Sequence, residues 1–191
     1  MLNKPADGLQ TGDALIIVDI QNDFCPGGAL PIQGGGAVVP VLNCWIAGAI
    51  VKNVPIYASR DWHPIDHISF KQQGGPWPPH CLQDSEGARF HPELQLPNSV
   101  IKITKGVRFD QDQNSVFDQT GLTYQLRLTG IQRLWVGGLA EDVCVLATVL
   151  DARRHGFEVV LIENATKPVS ANASERARRQ MREAGARFES G

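Results

Sequence analysis

Ala14-Leu-Ile-Ile-Val18 is an unbroken apolar run rich in β-branched side chains, and it ends directly on Asp19. A strand with one face in water would alternate apolar and polar residues, so a continuous run of this length suits a strand buried on both faces. Runs of the same kind recur at Val54 to Ala58, Val100 to Thr104, Leu134 to Gly137 and Phe157 to Ile162. Helical spacing lies between several of them. Val38, Val41, Leu42, Trp45 and Ala49 recur at three- and four-residue steps, as do Val145, Leu146, Val149 and Leu150. Ser174 to Ala184 makes a last amphipathic segment, with Gly185 as its stop. Strands alternating with helices predict an α/β fold: a single-domain, doubly wound, Rossmann-like and mostly parallel sheet with helices on both faces. Residues 1–13 read as a polar N-terminal tail and 14–191 as one domain.

Composition narrows the function by exclusion. Hydrophobic residues make up 42% and charged residues 20%, which is ordinary for a globular domain. A formal charge of −2 offers no footprint for nucleic acid or an anionic membrane surface. Arg176, Arg178, Arg179 and Arg182 fall at helical spacing beside Glu175 and Glu183 and read as a solvated helix face. The stretch Met1 to Asp13 lacks the apolar core of a secretion signal, and Ala37 to Val51, interrupted by Pro40 and Asn43, is too short to span a bilayer. A cytoplasmic protein with four reduced cysteines is the expectation, and the glycosylation patterns at Asn164 and Asn172 are then chance matches. Trp45 and Trp135 leave room for an apolar interface between copies, so a homo-oligomer stays open.

In open α/β sheets, ligands bind beyond the carboxyl ends of the strands. Four groups of residues sit at such places. Asp19 ends the first run and could be an acid or base, or a helix cap or turn former. Lys105 ends Val100-Ile-Lys-Ile-Thr104 and could be functional, or a lysine snorkelling at a strand end. In Gly137-Gly-Leu-Ala140-Glu-Asp-Val-Cys144 the glycines allow a tight turn and Asp142 can cap a helix start. Cys144 then falls in a first helical turn, where backbone N–H groups favour a thiolate, although a free cysteine often packs as a small hydrophobe. The fourth group lies in the long, proline-rich segment from Asp61 to Asn98, which has little periodicity. Asp61-Trp-His63 could place two ligands on one cation, with His80 closing a third corner. Three nitrogen and oxygen donors with open positions make a catalytic rather than a structural metal pattern, and Cys81 is the neighbour that could close it. Four of the five histidines lie between His63 and His91, a clustering that scattered core histidines do not explain.

These residues occur in Ile17-Val-Asp19-Ile-Gln-Asn-Asp-Phe24, Arg60-Asp-Trp-His63 with His67, Trp77-Pro-Pro-His80-Cys81, Thr104-Lys105-Gly106 and Gly138-Leu-Ala140-Glu-Asp-Val-Cys144-Val. In these motifs the chain resembles the isochorismatase-like cysteine hydrolases, and within them the nicotinamidase (pyrazinamidase) branch, from Ala14 to about Glu189. The resemblance implies Asp19, Lys105 and Cys144 as a catalytic triad, with the backbone amides of Ala140 and Cys144 as an oxyanion hole beside a cis Leu139–Ala140 peptide. It implies Asp61, His63 and His80 as ligands of one divalent metal ion (Zn, Fe or Mn), His67 in a second shell, and Phe24 and Trp77 flanking the substrate ring. Two positions depart from the pattern: Val143 stands where a Tyr or His is common, and Asn114 where a Tyr is common.

The activity so implied is hydrolysis of nicotinamide to nicotinate and ammonia through a cysteine thioester, feeding NAD salvage, with pyrazinamide as a further substrate. In that chemistry Lys105 is expected to keep Asp19 ionised and to lower the thiol pKa. The metal is expected to take the pyridine nitrogen rather than to make hydroxide. Three other readings remain: a hydrolase of the same superfamily acting on an N-carbamoyl compound, a ureido compound or an enol ether, an inactive binding protein on the same fold, and a zinc hydrolase that activates water.

Overall fold

In a computed structural model, which describes residues 6–190, a six-stranded parallel sheet forms the centre of the molecule. The chain runs through β1 (Asp13–Val18), α1 (Val38–Val51), β2 (Ile56–Asp61), β3 (Ile101–Lys105), α2 (Leu122–Leu128), β4 (Arg133–Leu139), α3 (Leu146–Arg154), β5 (Glu158–Lys167), α4 (Ala171–Glu183) and β6 (Arg187–Glu189). The strand order is β3-β2-β1-β4-β5-β6, and every neighbouring pair is parallel. The chain therefore winds outward from β1 to β3, then restarts on the other side of β1 with β4. The crevice between β1 and β4 is the switch point at which such sheets hold ligands.

Alternate residues of β1 explain why this strand is apolar throughout. Leu15 and Ile17 pack with Val38, Val39, Leu42, Trp45, Ile46 and Ala49 of α1 on one face. Ala14, Ile16 and Val18 point to the other, where α2, α3 and α4 contribute Leu122, Leu126, Val149, Ala152, Ala177 and Met181. Both sides of β1 are thus covered and all six of its residues are buried. At about 1.5–3 kcal/mol per large aliphatic side chain, this strand is a main source of the hydrophobic stabilisation.

Several expectations shift on contact with the structure. The sheet is wholly parallel, α2 and β6 join the predicted elements, and α4 begins at Ala171, with Ser170 accepting from the Ala173 N–H as N-cap. β2 runs on to Asp61, because Arg60 and Asp61 still pair with Thr104 and Lys105 on β3. Trp45 and Trp135 are buried with ring centroids 5.0 Å apart, so they form core and offer no surface to a second copy. Within the N-terminal segment, residues 1–5 lie outside the described residues, while Ala6 and Leu9 are buried in the core on the α1 side. Arg178 does not belong to a solvated face: it makes a two-pronged pair with the buried carboxylate of Glu141 (3.0 and 2.8 Å). No helix among the described residues is long and apolar enough to cross a membrane.

Candidate active site

The ends of four adjacent strands supply one buried corner. Asp61 and Lys105 are register partners on β2 and β3, and their side chains meet at 2.6 Å. Lys105 also lies 2.8 Å from Asp19 Oδ2, just past β1, and its ammonium donates to Cys144 Sγ at 3.5 Å. Asp19 has φ +49°, the left-handed region that few residues other than glycine adopt. Its backbone N–H reaches the Ser59 carbonyl at 3.2 Å, and the Ser59 hydroxyl donates to its Oδ1 at 2.6 Å. Cys144 follows β4 across the cis Leu139–Ala140 peptide and sits in a single wide turn, Glu141–Val145, that leads into α3. One oxygen from each of Asp19 and Asp61 and the Cys144 sulfur lie within 4.8 Å of one another. Lys105 fills the space among them, so these three groups surround an ammonium rather than a metal.

The electrostatics of this corner set two carboxylates apart. Burial works against the charge of both. At Asp61 the opposing pull of Lys105 and His63 wins and holds the carboxyl well below its usual range. At Asp19 burial prevails over Lys105, aided by repulsion from Asp61, and the pKa is raised. Lys105 is buried too, yet Asp19, Asp61 and Cys144 keep it firmly protonated. Lys105 pulls the Cys144 thiol down as expected, but other causes outweigh it. Burial pushes it well above its ordinary value; Lys105 opposes this, but Asp19 and Asp61 add to it. Burial of the turn and the two neighbouring carboxylates thus favour the thiol over the thiolate.

Asp61, His63 and His80 each offer a donor atom within 4.8 Å of the other two. His63 Nδ1 is 2.9 Å from the Gly106 carbonyl and His80 Nδ1 is 2.8 Å from that of Pro78. Since a carbonyl can only accept, both rings carry a proton on Nδ1, which leaves Nε2 as the atom each can offer to a metal. His63 Nε2 lies 3.6 Å from Asp61 Oδ2. These three residues fit a divalent cation in charge, donor type and spacing. His67 stands one layer out, its ring 4.0 Å from that of His63 and its Nδ1 2.7 Å from Ser69 Oγ. Cys81 is buried with its thiol raised by desolvation, and it is not among the converging donors.

Gly106 explains why a glycine follows the lysine. It has φ +66°, and a Cβ there would fall 2.4 Å from His63 Cε1. His63 and His80 approach each other because the loop doubles back: His63 N–H donates to the Cys81 carbonyl and Gln83 N–H to the His63 carbonyl, both at 2.9 Å. Gln21 ties that loop to the sheet. Its side chain donates to the carbonyls of Asp61 and Ala88 and accepts from the Asp61 N–H, at 2.8 to 2.9 Å. Asp23 accepts from the N–H groups of Cys81 (2.7 Å) and Ala29 (3.0 Å).

Cys144 and the three metal donors open into one pocket, walled by Phe24, Leu30, Ile32, Trp77, Val143 and Val169. Asp61, His63, His80, Ala140 and Cys144 line it, and Asp112 and Asn114 add polar groups. Every candidate site residue is therefore near this pocket, Asp19 and Lys105 beneath it through their contacts with Cys144 and Asp61. Ser59, Gln21 and the Glu141–Arg178 pair escaped the sequence reading. Ser59 had a signal, being the polar residue of an otherwise apolar strand segment on the same face as Asp61. The others had none, because each partner is distant in sequence.

Comparison with known proteins agrees with this geometry. A model of the isochorismatase domain matches residues 13–190. A nicotinamidase of Escherichia coli (strain K12) is 37% identical over 185 residues, covering 86% of this chain and 87% of its own. A crystal structure of the pyrazinamidase of Pyrococcus horikoshii in complex with zinc superposes with a TM-score of 0.91 at 42% identity, covering 94% of this chain and 99% of that one. A protein of L. infantum in complex with nicotinate does so with a TM-score of 0.87 at 39% identity, covering 93% and 92%.

Proposed function

The chain belongs to the isochorismatase family, and on that footing we propose that it is a nicotinamidase, hydrolysing nicotinamide to nicotinate and ammonia. The observation that carries this is the joining of a buried Asp19–Lys105–Cys144 cluster to an Asp61, His63 and His80 donor set in one largely apolar pocket. The pocket is largely apolar with a few convergent polar groups, the character of a site that takes a small aromatic ring. Phe24 and Trp77 line it as ring-flanking walls. The activity is shared with close relatives, and the nicotinate bound by the L. infantum protein is the product of this reaction.

Cys144 is the nucleophile in this reading and Asp19 its base. An acid held above its ordinary pKa is better matched to a thiol than an unperturbed carboxylate would be. Asp19 removes the Sγ proton as the sulfur bonds to the carboxamide carbon, and the carbonyl electrons move onto oxygen. The backbone N–H groups of Ala140 and Cys144 receive that oxyanion, an arrangement whose loss typically costs about 10²–10³ in rate. Asp19 passes its proton to nitrogen, the C–N bond breaks and ammonia leaves a thioester. Water then gives its proton to Asp19 and attacks the thioester. The C–S bond breaks, the sulfur recovers the proton and the acid departs. Lys105, locked between two carboxylates, keeps Asp19 oriented throughout.

Asp61, His63 and His80 would hold a divalent ion, with His67 behind them; zinc is the ion of the P. horikoshii relative. Such an ion would supply a Lewis-acid contact for a pyridine nitrogen, orienting the ring and drawing electron density from it. The test is ammonia release by purified protein from nicotinamide, pyrazinamide and a ureido or N-carbamoyl compound. Nicotinamide turnover at a kcat/KM well above the ureido value is the expected result. The reverse order would move the substrate to the ureido side of the family.

A further inference from the structure

Asn114 is the one polar side chain of the pocket wall that faces the sulfur without belonging to either the acid–base corner or the metal donors. Its Oδ1 lies 3.8 Å from Cys144 Sγ, within reach of the thiol hydrogen. Its Nδ2 donates to Asp112 Oδ2 at 3.2 Å. Because a carboxylate can only accept, this second contact settles which end of the amide points inward: the oxygen, not the nitrogen, faces the nucleophile. Val143 and Val169 belong to the same wall, with Asp112 at its exposed edge. Asp112 is open to solvent, and the other polar groups there face inward with partners of their own. Asp61 is held by Lys105, the histidines by Gly106 and Pro78, and Ser69 by His67.

A primary carboxamide placed on Cys144 brings two N–H donors into this largely apolar pocket. Asp19 can serve one of them, and an N–H left unserved against apolar walls costs binding free energy. From this we propose that Asn114 is a specificity residue: its Oδ1 accepts a hydrogen bond from the leaving nitrogen of the scissile amide. The inference rests on the amidase reading above and adds to it the group that recognises the departing –NH₂. At rest the oxygen accepts from the thiol. When Asp19 takes the thiol proton, the oxygen is released to the substrate nitrogen. That contact strengthens as the nitrogen gains a proton and positive charge on the way to ammonia, so the interaction is greater in the transition state than in the bound substrate. An ester of the same acid has no N–H at this position and gains nothing from Asn114.

The experiment compares nicotinamide with methyl nicotinate in wild type, Asn114→Leu and Asn114→Ala. Leucine keeps the volume but cannot accept a hydrogen bond, and alanine guards against a packing fault peculiar to leucine. The expected result is a loss of about tenfold in kcat/KM for nicotinamide, mostly in kcat, with methyl nicotinate changed by less than about twofold in both variants. An equal loss on amide and ester would overturn the proposal, since it would mean that Asn114 acts on the thiol or on the fold. So would an unchanged nicotinamide rate. Wild-type protein inactive on both nicotinyl compounds is a separate outcome, which overturns the amidase reading and this inference with it.

Discussion

The site is assembled from two regions built on different principles. The acid–base corner rests on strand ends: Asp19 after β1, Asp61 at the end of β2, Lys105 at the end of β3, and Cys144 just beyond β4. The parallel ladder places those positions within bonding reach, and register alone brings Asp61 opposite Lys105. The metal and aromatic wall comes instead from residues 62–100, which hold little regular structure beyond isolated bridges such as His63–Leu82 and Phe70–Trp77. Here turns and short backbone bridges fold the segment, and the side chains of Gln21 and Asp23 tie it to the sheet. The first region gets its geometry from the core of the sheet. The second is anchored to that core by a few buried side-chain hydrogen bonds, which can be removed singly.

The contrast can be broken from either side. The largest effect is expected at the corner. Cys144→Ala should lower the turnover of nicotinamide by on the order of 10⁴-fold or more with the metal content unchanged, since no other group can form the thioester. His63→Ala should remove the metal and lower activity by about 10²-fold while the thiol still reacts with a small alkylating reagent. Elemental analysis and alkylation kinetics on the two variants separate the regions. Loss of thiol reactivity in His63→Ala would show that they are one unit.

A smaller effect sharpens the account of the loop. Gln21→Leu leaves the Asp61 N–H and two carbonyls without their partner in a buried place, so denaturant unfolding should show a loss of about 2–3 kcal/mol. The metal site should weaken with it. An unchanged midpoint would mean that the loop is held by its own contacts rather than by Gln21.

The smallest effect concerns pH. Cys144 has a folded-state pKa raised above its ordinary value near 9, so folding favours its protonated form. Its contribution is complete below about pH 9 and is lost as the pH rises toward the folded value, by at most about 1.4 kcal/mol per pH unit. Cys144→Ala should therefore flatten the stability curve between pH 9 and 10, below the range in which Lys105 begins to lose its proton. An identical alkaline slope in the variant would contradict the raised thiol.

Much of this was legible from residue order. Ala14 to Val18 reads as a doubly buried strand because its side chains are apolar on both parities, and the structure covers both. Asp19, Lys105 and Cys144 stand out because each follows such a run, and the histidines because they crowd one segment. α2 and β6 were hidden by shortness: seven and three residues carry too little periodicity to rise above the background.

Local pattern could also misdirect. Trp45 and Trp135 resembled interface residues until α1 and β4 were seen to bury them against each other. Arg178 looked solvated because its partner Glu141 lies 37 residues away, brought close only when α4 docks on the Cys144 turn. The thiol's raised pKa has the same origin. Helix position argues for a thiolate, whereas burial together with Asp19 and Asp61 argues against it, and those two carboxylates arrive from other strands. Residue chemistry along the chain was enough to name the reacting groups. Their protonation, their partners and the orientation of Asn114 follow from desolvation and from contacts between distant segments, which exist once the sheet has closed around them.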